Sequence, residues 1–171
     1  IKFDLYDFQE STLSDFHDNR HNVILKSRQL GISTLTAGYA LWCMLFNEDF
    51  NVLVIATTQD VAKNLVSKVQ IMNENLPSWL KTMITTNNKL SLKFKNGSEI
   101  KAISSASTGA RSEALSLLIV DEAAFIRNIE DIWIASQSTL STGGAAIVLS
   151  TPNGIGNWFH QIWVDADTGQ N

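Results

Sequence analysis

KSRQLGIST, residues Lys26 to Thr34, separates two apolar runs of different character. Asn22 to Leu25 (NVIL) ahead of it has the length and branching of a short buried strand. Leu35 to Phe46 (LTAGYALWCMLF) behind it is long enough for a helix that is apolar on most of its faces. A strand, a tight loop holding Gly31 and a helix opening on Ser33 and Thr34 is the layout of a phosphate-binding loop. The first turn of a helix leaves N–H groups unpaired and carries the positive end of the macrodipole, and a phosphate satisfies both. Aligning Gly31 with the second glycine of the common pattern puts Lys26 at the first glycine, Ile32 at the lysine and Ser33 at the magnesium-binding hydroxyl. Ile32 cannot neutralise a phosphate, so the charge has to come from Lys26 or Arg28 inside the loop. On this stretch alone, an ordinary strand–turn–helix corner competes evenly with a nucleotide site.

A second signal stands about ninety residues later. Leu115 to Val120 (LSLLIV) has the pattern of a buried strand and ends in Asp121-Glu122. Two acids at the C-terminal end of an apolar strand are costly to bury unless they are used. In the Walker B arrangement the first carboxylate orders magnesium and the second polarises the attacking water. Ala145 to Leu149 (AAIVL) is a further strand, followed by Ser150, Thr151, Pro152, Asn153 and Gly154. Hydroxyls at that edge face the same crevice as the loop and the acids, where they are candidates to sense a γ-phosphate. The Pro-Asn-Gly that follows makes a turn in either case.

The rest of the chain predicts an α/β architecture with parallel strands. Leu5 to Arg20 carries Leu5, Phe8, Leu13 and Phe16 on roughly one helical stripe. On it, Tyr6, Phe8 and Gln9 are either an aromatic-plus-amide adenine reader or part of a plain amphipathic helix. Asn51 to Ala56 predicts a buried strand, Thr57 to Asp60 a cap, and Val61 to Asn75 a helix. Leu90 to Ser104 predicts a hairpin turning at Asn96-Gly97. Its Lys89, Lys93, Lys95 and Lys101 serve either as guards of an exposed sheet edge or as a DNA-contacting strip. Ser105 to Glu113 (SASTGARSE), centred on Arg111, has the composition of a moving or contact-making loop, and Asn157 to Val164 that of a final helix.

At 171 residues the chain is expected to be one domain. No apolar run has transmembrane length, and no signal-peptide layout opens the sequence. A single cysteine, Cys43, excludes an internal disulfide and sits where a core thiol is expected. The formal charge of -4 argues against a domain that grips nucleic acid through a large basic surface of its own. His17, His21 and His160 lack metal-ligand spacing.

Taken together, YDFQ (Tyr6 to Gln9), KSRQLGIST, LLIVDEAAFI (Leu117 to Ile126) and LSTPNGIGNWFHQIW (Leu149 to Trp163) resemble the ATPase domain of the large terminase subunit of tailed bacteriophages. The resemblance covers the chain from about Leu5 to Trp163. It implies a P-loop, RecA-like fold of the additional-strand, catalytic-glutamate class, with a mainly parallel sheet flanked by helices and a β-hairpin excursion. It implies ATP as substrate and Mg2+ as cofactor. The nucleotide would be held by Tyr6 and Gln9 at the base and by Lys26, Ser27, Arg28, Gln29, Leu30, Gly31, Ile32, Ser33 and Thr34 at the phosphates. Ser33 and Asp121 match the metal positions, Glu122 the catalytic glutamate, and Ser150 and Thr151 the coupling motif. Lys26 matches a lysine displaced to the start of the loop, and Arg28 an arginine acting on the γ-phosphate within the subunit. Arg111 and Arg127 are the alternatives acting from a neighbouring subunit.

The partners implied are double-stranded DNA, the portal protein of a procapsid and the small terminase subunit. A homo-oligomeric ring is expected on assembly and a monomer in isolation, in the host cytoplasm and away from any membrane. The family's nuclease domain has no counterpart in residues 1–171, so one ATPase domain without nuclease activity is expected. Two alternatives remain: a translocase or helicase ATPase of another family, which calls for a second RecA-like lobe, and a non-hydrolysing nucleotide-binding module. Ile32 motivates the second, and the Asp121-Glu122 pair opposes it.

Overall fold

Charge-free runs of branched residues cannot face water on either side, so they settle in the middle of a sheet that is covered on both faces. The computed structural model describes residues 4–104, 114–140 and 143–169. Its strands are β1 (His21–Leu25), β2 (Asn51–Ala56), β3 (Ile84–Asn87), β4 (Ser91–Phe94), β5 (Glu99–Ser104), β6 (Leu117–Asp121) and β7 (Ala145–Ser150). They form one sheet in the order β1-β7-β6-β2-β5-β4-β3. The first five of that order pair in parallel, while β4 and β3 are added antiparallel.

Alternation along the central strands divides the interior into two layers. Val52, Val54, Leu117, Ile119, Ile147 and Leu149 pack against α1 (Asp7–Asp18), α2 (Ile32–Phe46) and α3 (Gln59–Glu74), through Phe16, Leu35, Leu41, Leu65 and Val69 among others. Leu53, Ile55, Leu118, Val120, Ala146 and Val148 point the other way. They meet α4 (Ile129–Leu140) and α5 (Trp158–Thr168) through Ile129, Leu140 and Phe159. The helices after β1 and β2 thus cover one face, and those after β6 and β7 cover the other. Cys43 is a buried free thiol in α2, and burial pushes it up to about 11. A thiol so protonated is inert at neutral pH.

Three features depart from the sequence-based expectation. The Asn96-Gly97 hairpin forms, but β4 is not an edge: β3 covers it. Lys93 and Lys101 flank Glu99 at 4.0 and 3.4 Å, so part of the expected basic strip is compensated by a carboxylate within the sheet. β3 itself (ITTN) is short and largely exposed and gives no apolar alternation to read. α4 was not expected, although Ile129, Ile132, Trp133, Ser136 and Leu140 trace a helical stripe. The segment around Arg111 lies outside the described residues.

Candidate active site

The strand order creates the site. β7 lies between β1 and β6, so the loop after β1 and the acids after β6 are two strand spacings apart, roughly 10 Å. Lys26 spans that gap. Its N–H donates to the Ser150 carbonyl at 3.0 Å, which fixes its backbone beside the end of β7. Its Nζ then donates to Asp121 Oδ1 at 3.0 Å, Glu122 Oε1 at 3.2 Å and Ser33 Oγ at 3.2 Å. Only 9% of this side chain is exposed, and an ammonium so buried requires such partners. Ser33 Oγ in turn donates to Asp121 Oδ2 at 3.3 Å, bringing hydroxyl and carboxylate together as a hard-oxygen pair.

Glu122 sits at the start of a one-turn 3-10 helix, Ala123–Phe125, with φ 56 and ψ 44. A non-glycine residue in that left-handed region costs about 1 kcal/mol, and the surroundings have to hold it there. Thr151 does so: its N–H and its hydroxyl donate to Glu122 Oε2 at 3.2 and 2.9 Å. Burial raises the Glu122 pKa, but the hydrogen bonds from Thr151 and the charge and hydrogen bond of Lys26 outweigh it, and the net shift is downward. The carboxylate is therefore ionised at neutral pH. Ser150, the other residue expected at the coupling motif, plays a different part. Its hydroxyl is fully buried, accepts from the Ala124 N–H at 3.1 Å and donates to the Thr151 carbonyl at 2.8 Å. It joins the end of β7 to the turn after β6 and does not face the crevice.

The loop is shaped from beneath by α1. Gly31 has φ 74, and a Cβ there would lie 2.7 Å from Gln9 Nε2. Gln9 is buried; its amide donates to the Leu30 carbonyl at 2.9 Å and accepts from the Tyr6 N–H at 3.1 Å. Both ends of the expected adenine-reading amide are thus engaged with backbone. Tyr6, 68% exposed, stacks on Phe8 at 5.7 Å, and both rings of YDFQ are open to a base. Gln29 is a second non-glycine residue with positive φ, at 64.

Ser27, Arg28, Gln29 and Leu30 form the exposed tip of the loop. Arg28 has no hydrogen-bond or ion-pair partner among the described residues, so its guanidinium is available to an incoming group. Ile32 does not line the loop with its side chain: it is 4% exposed and belongs to the core beneath α2. Any part it takes in binding is confined to its backbone. α2 opens with no acid in its first turn and no side-chain cap on Gly31, which leaves its first N–H groups unpaired by side chains. Lys68 of α3, which no motif marks, donates to Thr34 Oγ1 at 3.0 Å. Arg127 is exposed just beyond the 3-10 turn, and Arg111 lies outside the described residues.

Residues 23–170 match the family model for the terminase large subunit, T4likevirus-type, N-terminal region. The chain belongs to this terminase family. Among solved structures, the large terminase ATPase domain of Thermus phage P74-26 is 25% identical with a TM-score of 0.76, over 95% of this chain and 70% of that one. The large terminase of bacteriophage HK97 is 19% identical with a TM-score of 0.80, over 98% of this chain and 37% of that one. The large terminase of a thermophilic bacteriophage, in complex with ATP-γ-S, is 16% identical with a TM-score of 0.74, over 96% and 42% of the two chains. The last two show the fold, and this chain spans less than half of each. In terminase terms, β7 is the additional strand between the loop strand β1 and the Walker B strand β6.

Proposed function

We propose that this domain hydrolyses ATP with magnesium and that hydrolysis drives double-stranded DNA into a viral capsid. The observation that carries it is the Lys26 ammonium held between Ser33, Asp121 and Glu122, a phosphate-loop cation joined to a Walker B pair. Ser33 and Asp121 suit magnesium, which binds through few protein oxygens and takes the rest from phosphates and water. Bound there, magnesium would neutralise charge on the β- and γ-oxygens.

The chain's own groups supply the remainder. Unpaired N–H groups of the α2 first turn receive phosphate oxygens. Lys26 exchanges its carboxylate contacts for the phosphates, its flexible stem allowing the swing. Arg28, unpartnered at the loop tip among the described residues, meets the γ-phosphate with a planar fork. Glu122, ionised and aimed by Thr151, orients the attacking water and accepts its proton. Tyr6 offers the base a face to stack on.

Family membership supports DNA and the packaging machinery as partners: a portal on a procapsid, a small terminase subunit, and neighbouring copies in a ring, with work done in the host cytoplasm. Arg111 or Arg127 would then reach a neighbour's nucleotide, and the isolated domain is expected to be monomeric and slow. The test is Glu122→Gln. An amide cannot take the proton, so ATP binding is retained while phosphate release falls by about a hundredfold or more. Wild-type turnover in that variant removes Glu122 from the mechanism.

A further inference from the structure

Ser33 and Thr34, successive residues in the first turn of α2, each bind a lysine, and the two lysines come from opposite sides. Lys26 reaches Ser33 from the Walker B side and is held by two carboxylates. Lys68 reaches Thr34 Oγ1 from α3 at 3.0 Å and has no carboxylate within ion-pair distance among the described residues. That placement is electrostatically uphill. A cation beside a helix N-terminus repels the positive end of the dipole, and α2 has no acid in its first turn to offset it. A half-buried lysine normally pairs with a carboxylate or extends into water, and this one donates to the Thr34 hydroxyl in the first turn of α2 instead.

We infer that Lys68 is a nucleotide-binding residue, whose ammonium together with the Thr34 hydroxyl receives the α-phosphate of the bound nucleotide. The inference rests on the ATPase assignment above and refines it. Metal-side residues Ser33, Asp121 and Glu122 gather on the Lys26 side of α2, which assigns the β- and γ-phosphates to that side. Lys68 stands on the other side, next to the residue that follows the metal hydroxyl, where the chain of phosphates continues towards the sugar. A contact there is blind to the γ-phosphate, so it favours ATP and ADP alike.

The experiment is equilibrium binding of ADP and of a non-hydrolysable ATP analogue to the parent protein, Lys68→Met and Lys68→Arg, with ligand-free melting curves for each. Loss of one charge-assisted hydrogen bond to a phosphate predicts about tenfold weaker binding of both nucleotides to Lys68→Met. Lys68→Arg restores most of it, and the ligand-free variants melt close to the parent. Unchanged affinity for both nucleotides overturns the inference, as does a loss confined to the ATP analogue, which would put Lys68 on the γ-phosphate. A fall in ligand-free melting temperature with unchanged affinity makes Lys68 structural and overturns it too. Failure of the parent to bind either nucleotide would instead refute the ATPase assignment on which it stands.

Discussion

Lys26→Met removes the cation that the Asp121 and Glu122 carboxylates share. Asp121 and Glu122 have side chains only 11% and 27% exposed, so water cannot fully replace the ammonium. Removing one partner of a buried ion pair costs about 3–5 kcal/mol. Glu122 keeps its two bonds from Thr151, which places the expected loss near the lower end, at about 3 kcal/mol. For a domain of this size that lowers the melting temperature by roughly 6–12 °C. The pH dependence identifies the cause. In the parent, burial pushes the Glu122 carboxyl up, but Thr151 and Lys26 bring it below the usual 4.5. A group lowered on folding contributes stability above its unfolded pKa and loses it as pH falls through the folded one. The variant keeps the burial and lacks the Lys26 contribution, so its Glu122 carboxyl moves up. The gap between the two proteins is therefore widest at neutral pH and closes as pH falls below about 4.5. Calorimetric melting of both proteins from pH 7 to pH 3 measures it. Melting temperatures within about 2 °C at pH 7, or a gap that does not change with pH, would refute a charge-linking role for Lys26.

Ile32→Lys, which restores the common loop sequence, is expected to destabilise by about 3 kcal/mol or more, because it sends an unpaired charge into the core under α2. An unchanged denaturation midpoint would show that the new ammonium escapes into the loop. His21, at the start of β1 against Trp133, has its pKa lowered by partial burial and by Arg20. Its contribution to stability is complete above about pH 6.5 and declines as pH falls further, so His21→Gln should flatten the melting temperature between pH 6.5 and 5.5. An identical slope in the variant would assign the dependence to other groups.

The parallel strands were legible because their residues are buried on both faces: NVLVIA and AAIVL cannot be anything but interior, and the structure starts both strands where those runs start. β3 was not legible, since ITTN is short and mostly exposed and has the look of a loop; it forms because β4 offers it an edge. That one unread strand turned the expected lysine-guarded edge into an interior strand. α4 carried a usable stripe, from Ile129 through Trp133 and Ser136 to Leu140, between the two most conspicuous motifs of the chain. At the site, the residue types were readable and the directions were not. Loop spacing marked Ile32 as a departure but could not tell that its side chain belongs to the core. It placed Ser150 and Thr151 together, yet Ser150 ends β7 with its side chain turned inward and Thr151 follows the strand. Thr151 therefore holds the Glu122 carboxylate, while Ser150 ties two strand ends together. Gln9 drew notice as an amide that suits adenine, and the structure adds a contact the sequence did not show, its hydrogen bond to the Leu30 carbonyl that seats the loop. Lys68 lay within an ordinary amphipathic helix and left no mark in the sequence.

The position of β1 governs the order in which the molecule can be completed. Its neighbour in the sheet is β7, the last of the seven strands, with His21 to Leu25 registered on Ala146 to Ser150. A ribosome that has released β1, the loop and α2 has released a strand with nothing to pair with. β2, β5 and β6 can assemble while synthesis continues, but β1 waits for Ala145–Ser150 to emerge and enter the gap between it and β6. Closing so long a loop is slow compared with forming local structure. Lys26 meets Asp121 and Glu122 only at that step. The cluster of Lys26, Asp121 and Glu122 is thus a property of the completed sheet: it requires β7 to be seated between β1 and β6.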